Sequence, residues 1–390
     1  MDKTRLDRID KLLQSQIDDR KLAGASVAIY KDGEVCFDRQ YGYADIESGR
    51  KIEKDTIFRL YSCTKPITAT AMMILFERGE VELEYPLWKY IPSYKDMKIV
   101  SEDGTLSDCK TDITIRDLLN MTSGLVYPGG WFEAGRRVEP LFDEMISKLG
   151  TPDALTTQQF AKRMSELPLF FEPGKMWNYG TSADVLGAVI EIISGMKLSE
   201  FMKKEIFEPL GMCDTGFYVP KEKWGRFSKL YMPTDDGIAL YEGNHLGVCD
   251  YREPPAFESG GAGLVSTIPD YLRFTRMLLN GGELDGVRIL SPNTVSYMTQ
   301  NHMTKKQYDS MQFGSTKGCG YGSFLRVVEN TAQATTNGDK GEYGWDGWTG
   351  TYFTVNPKRN LIIIYFIQKC GTGMDDITKR LRQIVYSADF

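Results

Sequence analysis

Ser62-Cys63-Thr64-Lys65 is the segment of this chain best suited to chemistry. It lies between Phe58-Arg59-Leu60-Tyr61 and a long apolar run of helical character, Pro66 to Glu80. A serine and a lysine spaced i, i+3 at a helix start share one face, so their side chains can meet. The helix N-terminus adds partial positive charge, which favours negative charge developing on the serine oxygen. A lysine held there and partly desolvated can lose its proton near neutral pH and act as a base. That combination activates a serine without histidine. Ser-x-x-Lys nevertheless occurs four times: Ser48–Lys51, Ser62–Lys65, Ser107–Lys110 and Ser194–Lys197. Ser48-Gly49-Arg50-Lys51 reads as a polar turn, and Ser107-Asp108-Cys109-Lys110 as a polar loop. Ser194-Gly195 reads as a helix C-terminus capped by Gly195. Only Ser62 joins a β-like segment to an amphipathic helix. Taken alone, that setting leaves two readings of Ser62 open, an N-cap and a nucleophile.

Other chemistries are poorly represented. The two histidines, His245 and His302, lie in no metal-ligand pattern, and no Gly-x-Ser-x-Gly elbow accompanies them. Acid–base work therefore falls to lysine, tyrosine and carboxylates. The seven cysteines (36, 63, 109, 213, 249, 319 and 370) are odd in number and contain no Cys-x-x-Cys. A disulfide framework or a structural zinc site is not expected, and Cys63 reads as a small core residue. Gly260-Gly261-Ala262-Gly263 and Gly318-Cys319-Gly320-Tyr321-Gly322 sit in no βαβ unit, so close backbone packing is expected there and not a dinucleotide site. No metal and no organic cofactor is expected.

A net charge of −6 gives no reason to expect a nucleic-acid partner. No run approaches the roughly 20 apolar residues of a membrane span. The N-terminal residues Met1 to Arg8 have no apolar core of a signal peptide, so a cytoplasmic location is the default expectation.

The elements that must position Ser62 can be read along the 390 residues. Asp2 to Arg20 has helical periodicity at Leu6, Ile9, Leu12, Leu13 and Ile17. Ala25 to Tyr30 and Glu34 to Tyr41 read as a hairpin about Lys31-Asp32-Gly33. From Pro66 to about Ile206 the pattern is mostly helical, with a Thr114 N-cap and Asp117 at N3 opening one helix. Between 207 and 257 the chain is loop-rich, and Ile268 to Asn280 is a helix. Strands are predicted at Gly320 to Val328, Gly341 to Val355 and Leu361 to Lys369, then a final helix from Asp375 to Ser387. Strands at both ends and helices between them predict an α+β fold. One antiparallel sheet would be covered by the terminal helices, with a helical lobe beside it and a cleft between. The expected division is a discontinuous sheet lobe, residues 1–60 and 258–390, and a helical lobe, residues 61–257.

Several landmarks, in this order, resemble the serine β-lactamase-like superfamily: class C β-lactamases, DD-peptidases and the family VIII carboxylesterases. They are Phe58 to Pro66, Ile113 to Leu125, Phe171 to Tyr179, Ser259 to Thr267, and the strand around Trp345. The resemblance spans about residues 20 to 370 and makes Ser62 the expected nucleophile, with Lys65 as its base. It places Tyr179-Gly180-Thr181 at the Tyr-x-Asn or Tyr-x-Ser motif, which makes Tyr179 a catalytic residue and Thr181 a substrate neighbour that departs from the pattern. A phenol beside a lysine ammonium can hold a lowered pKa and exchange a proton with the serine. The third motif, Lys-Thr-Gly or His-x-Gly in the family, is matched best by Trp345-Asp346-Gly347, in the Trp-x-Gly form of the esterases; Trp348-Thr349-Gly350 is a competing register. Gly347 would admit substrate close to the backbone. By analogy, the N–H groups of Ser62 and Trp348 form the oxyanion hole.

The departure at the third motif carries chemical meaning. A lysine or histidine there can pair with a substrate carboxylate, whereas Trp345 offers an aromatic face and Asp346 a negative charge. The expectation is therefore a serine hydrolase that forms an acyl-enzyme on small neutral esters. β-Lactams, D-amino-acid amides or peptides and acyl transfer on the same scaffold are the alternatives, with a catalytically silent binding protein as the rival from another class.

Overall fold

The computed structural model describes residues 1–248, 250–311 and 313–389, so Cys249 lies outside them. Its largest sheet has eight strands: β1 (Gly24–Lys31), β2 (Glu34–Asp45), β3 (Arg50–Lys51), β4 (Cys319–Gly322), β5 (Leu325–Val328), β6 (Tyr343–Asp346), β7 (Tyr352–Asn356) and β8 (Leu361–Ile367). The order is β4-β5-β6-β7-β8-β1-β2-β3, and every neighbouring pair is antiparallel. The N-terminal hairpin thus docks on the last strand, with Ala25 opposite Ile367 and Lys31 opposite Leu361. This is the antiparallel α+β arrangement expected from strands at both ends of the chain.

β8 shows why that seam holds. All seven of its residues are buried, so both faces of the sheet are covered at this strand. Successive side chains point to opposite faces. Ile363, Tyr365 and Ile367 pack with Val27 and Ile29 against Leu12 and Leu13 of helix α1 (Arg8–Asp18) and Leu381 and Val385 of the C-terminal helix Asp376–Ala388. Ile362, Ile364 and Phe366 face the other way, into the larger core shared with helix Lys65–Glu77 and with Tyr271 and Phe274 of helix Ile268–Leu279.

Local structure departs from the sequence pattern in instructive places. The Asp32-Gly33 turn forms with both φ angles positive (51° and 96°), the geometry that suits a tight hairpin. The predicted N-terminal helix is broken at Asp7 into Lys3–Leu6 and Arg8–Asp18. The single strand predicted at Gly320 to Val328 is a hairpin, because Ser323 and Phe324 take left-handed φ angles of 48° and 62°. Neither residue type signals such a turn; the bend is held from outside, where Phe324 N–H donates to the Leu119 carbonyl at 3.0 Å. The loop-rich region contains a further hairpin, Tyr231–Thr234 with Gly237–Leu240.

The helix that follows the candidate serine, α2 (Lys65–Glu77), is buried at every position from Lys65 to Leu75. A helix apolar all round belongs in a core. It packs beside α3 (Ser182–Ser194), which follows Tyr179. Among the described residues, no helix is long and apolar enough to cross a membrane.

Candidate active site

Ser62 lies in a 3-10 turn, Tyr61–Thr64, that runs straight into α2. Side chains three apart eclipse one another in a 3-10 turn, so Lys65 returns directly over Ser62. Lys65 Nζ donates to Ser62 Oγ at 3.0 Å and to the Gly261 carbonyl at 2.8 Å. The Ser62 hydroxyl caps no backbone N–H, which removes the N-cap reading. Tyr61, just before it, holds a φ of +44°, costly for a non-glycine residue. The surroundings impose it: Leu60 N–H bonds the Leu264 carbonyl at 2.9 Å, and the Leu60 carbonyl accepts from Thr351 Oγ1 at 2.8 Å.

The other three Ser-x-x-Lys pairs fall away. Ser48 and Lys51 are exposed about a turn and an edge strand, Ser107 and Lys110 are exposed, and Ser194 is followed by Gly195 at φ +67°, a helix C-cap.

Lys65 is fully buried. Burial pushes its amine down from 10.5 to about 7, against the opposing pull of the Asp184 carboxylate. Near neutral pH a substantial share of such lysines carry a lone pair aimed at Ser62. Tyr179 lies over the same spot, with the Lys65 amine 4.6 Å from its ring centre. Trp345 Nε1 donates to the Tyr179 hydroxyl at 3.0 Å. Burial raises the Tyr179 phenol above its ordinary range, and the contacts with Ser62 and Trp345 recover only part of that. A phenol lowered by the neighbouring ammonium was the expectation; burial raises it instead, so Tyr179 rests protonated.

Of the two registers read for the third motif, Trp345 and Asp346 end β6, opposite Phe353 and Tyr352. Gly347 follows, and a Cβ there would overlap Thr351 Oγ1 and the Leu60 carbonyl, so only glycine lets this strand end close on the serine turn. The N–H groups of Ser62 and Trp348 bond no backbone carbonyl among the described residues. Trp348-Thr349-Gly350 lies in the turn beyond, where Thr349 Oγ1 bonds the Arg59 carbonyl at 3.0 Å. Asp346 does not stand as a bare negative charge: Arg326 Nη1 reaches its carboxylate at 2.9 Å, and Met374 N–H bonds it at 3.1 Å.

These groups open on a cavity of about 860 Å³ lined by Ser62, Tyr127, Tyr179, Trp345 and Trp348, with Phe142, Ile146 and Phe313 among its apolar lining. The charged residues lining it are Glu139, Asp143, Asp346 and Lys379. Lys379, the one cation of that set, is paired with Asp376 at 3.0 Å. His245 also lines the cavity, stacked on Trp348 at 4.1 Å, and burial drives its imidazole down to about 4. Thr181 is brought near Tyr179 in sequence only. It is fully buried at the start of α3, its hydroxyl has no partner, and it does not line the cavity.

Two neighbours, Tyr127 and Asp184, went unnoticed in the sequence, whereas the close packing expected at Gly261 is found between them. Tyr127 lines the cavity with an unpartnered hydroxyl, its ring 5.6 Å from the Lys65 amine. Asp184, in the first turn of α3, accepts from Gly261 N–H at 3.0 Å and from the Ser259 hydroxyl. Gly261 itself is wedged, since a Cβ would stand 2.9 Å from Asp184 Oδ2 and 3.0 Å from the Tyr127 hydroxyl. The available signals were slight: a tyrosine before Pro-Gly-Gly, and a carboxylate opening an otherwise apolar helix. Among the described residues, no cluster of His, Cys, Asp or Glu is placed to hold a metal ion.

Known proteins agree with the resemblance read from the motifs. Residues 9–386 match the Beta-lactamase family model, and the chain belongs to that family. It is 32% identical over 358 residues to Protein Rv1367c of Mycobacterium tuberculosis, covering 90% of this chain and 86% of that one. It is 30% identical over 402 residues to Esterase EstB of Burkholderia gladioli, covering 97% and 95%. Among solved structures, EstCE1, described as a hydrolase with promiscuous acyltransferase activity, superposes with a TM-score of 0.83 at 26% identity, covering 98% of this chain and 99% of that one.

Proposed function

We propose that this protein is a carboxylesterase that acylates Ser62 with small neutral esters. The observation that carries the reading is the strand end at Trp345. Where the resemblance puts a cation, an indole donates to Tyr179, Asp346 is already neutralised by Arg326, and the one lining cation, Lys379, is paired. With Glu139 and Asp143 also on the lining, a substrate carboxylate meets more negative than positive charge. Similarity to Esterase EstB across nearly the whole chain supports the same reading.

In this mechanism neutral Lys65 takes the Ser62 proton across their 3.0 Å contact as Ser62 attacks the ester carbonyl. The N–H groups of Ser62 and Trp348 receive the oxyanion. Tyr179, protonated at rest, gives its proton to the departing alkoxide and is reprotonated from the Lys65 ammonium. Water then repeats the sequence on the acyl-enzyme, with Lys65 and Tyr179 in the same roles, and releases the acid. Substrate enters between the sheet lobe (1–60 and 258–390) and the helical lobe (61–257), with Gly347 leaving room beside the strand. An alcohol in place of that water gives acyl transfer, a reading favoured by the likeness to EstCE1.

The test is a panel of p-nitrophenyl esters, penicillins and D-alanyl-D-alanine peptides, with Ser62→Ala as control. Neutral esters are expected to be turned over fastest, and only by the protein that retains Ser62. Faster turnover of penicillins or of the peptides overturns the substrate assignment. Absence of Ser62 labelling by a fluorophosphonate overturns the enzyme assignment.

A further inference from the structure

Lys65 has two hydrogen-bond partners, and one of them is not a side chain. Its amine is steered by the Gly261 carbonyl, so whatever holds Gly261 in place also aims the amine. Gly261 is held on both sides, and its own N–H, in the preceding peptide group, donates to Asp184 Oδ1 at 3.0 Å. The Ser259 hydroxyl donates to the same oxygen and accepts from Ala262 N–H at 2.9 Å. Thr68 Oγ1 bonds the Gly260 carbonyl at 2.7 Å, which fixes the loop on α2 as well.

Asp184 is also a buried carboxylate with no arginine, lysine or histidine in ion-pair contact among the described residues. Such a charge is expensive unless something compensates it. The groups facing Lys65 are few: Ser62 and Cys63 from its own turn, Tyr127 and Tyr179 from the cavity wall, and Asp184 from α3. The hydroxyls and the thiol are neutral near pH 7, since burial raises Cys63, Tyr127 and Tyr179. Burial raises the Asp184 carboxyl and the Lys65 charge draws it back down, so Asp184 is the one group in this set that can balance an ammonium, and Lys65 the one that can balance a carboxylate.

We infer that Asp184 is a positioning residue for the reaction: through Gly261, and through Ser259 to the Ala262 N–H, it aims the Lys65 amine at Ser62, and its carboxylate is that amine's counter-charge. This rests on the reading of Lys65 as the base. It adds that the base is a charge pair split by one residue, Gly261, so the protonation of Lys65 depends on a residue that never touches substrate. Gly261 is the obligatory spacer, because any side chain there strikes Asp184 and Tyr127.

The variant to make is Asp184→Asn. Its amide oxygen can keep both hydrogen bonds while the charge is lost, and circular dichroism with thermal unfolding reports whether the fold is kept. The first readout is catalysis-independent: NMR titration of the Lys65 side-chain methylene beside its amine, in Ser62→Ala with and without Asp184→Asn. Removing the counter-charge is expected to lower the Lys65 titration by about one pH unit or more. The second is the rate of Ser62 labelling by a fluorophosphonate against pH, whose acid limb is expected to move down by the same amount. An unmoved titration with an unmoved limb overturns the inference, and a uniformly slower rate beside them leaves Asp184 a structural clamp only. If the titration moves while no ester is hydrolysed, Asp184 keeps its role and the esterase reading fails instead. Should Asp184→Asn not fold, Ser259→Ala, which removes one bond to the carboxylate and no charge, must leave the Lys65 titration within a few tenths of a unit; a shift as large as one unit refutes the charge argument.

Discussion

Replacing Lys65 with methionine separates the chemical use of this lysine from its cost to the fold. The side chain is buried, and its amine titrates at about 7 and not at the ordinary 10.5. Because the folded value is the lower one, the unfolded chain binds a proton between pH 7 and 10.5 that the folded chain releases. Wild-type stability therefore rises with pH across that window, and the full penalty is present below it. At about 1.4 kcal/mol per pH unit, the penalty is about 4 kcal/mol at pH 7 and about 2 kcal/mol at pH 9. Methionine carries no such proton. The stability of Lys65→Met relative to wild type should fall by about 2 kcal/mol between pH 7 and pH 9, whatever constant difference the lost hydrogen bonds add. Urea unfolding of both proteins at the two pH values measures it. In the proposed mechanism the same titration sets the rate of acylation: kcat/KM of the wild type on a neutral p-nitrophenyl ester should fall about tenfold per unit below pH 6, and Lys65→Met should be inactive. A stability difference that stays flat from pH 7 to 9 refutes the reasoning, since it means that Lys65 keeps its proton in the folded state.

Three further perturbations test other parts of the site. Trp345→Phe keeps the ring but removes the N–H that bonds Tyr179, and should lower kcat about fivefold with little change in Tm, read from steady-state kinetics and a thermal melt. Gly347→Ala drives a methyl group into Thr351 and the Leu60 carbonyl, so it should displace the Ser62 turn and slow fluorophosphonate labelling by about 100-fold or more; near-normal labelling would show that the strand end is not tight. His245 is neutral above about pH 5 because burial holds its imidazole at about 4, so His245→Gln should leave the position of the acid limb unchanged; a displaced limb would make His245 a proton acceptor in the reaction.

How much of this was legible beforehand depended on the range of the interaction. Asp32-Gly33, the Thr114–Asp117 capping box and the Gly195 cap are local devices, and each appears where its residues predict. The turn at Ser323-Phe324 was missed because its left-handed backbone is held by Leu119, about 200 residues away along the chain. Thr181 was placed beside substrate on the strength of a motif position, yet the helix start buries it. Asp346 looked like a lone negative charge because its partner, Arg326, sits on β5, opposite Gly344 in the neighbouring strand.

Residue types and spacing alone determined that a serine hydroxyl and a lysine amine could meet at the head of an apolar helix, because side chains three apart share a face whatever surrounds them. They also determined the antiparallel sheet, since apolar strand patterns at the two ends of a chain have most to gain by burying each other. Tertiary structure decided the rest. It buried Lys65 far enough to bring its amine to about 7, raised Tyr179 so that the phenol rests protonated, and set Gly261 between Lys65 and Asp184. Protonation states follow from desolvation and from charges that meet only in three dimensions, and no spacing along the chain encodes either.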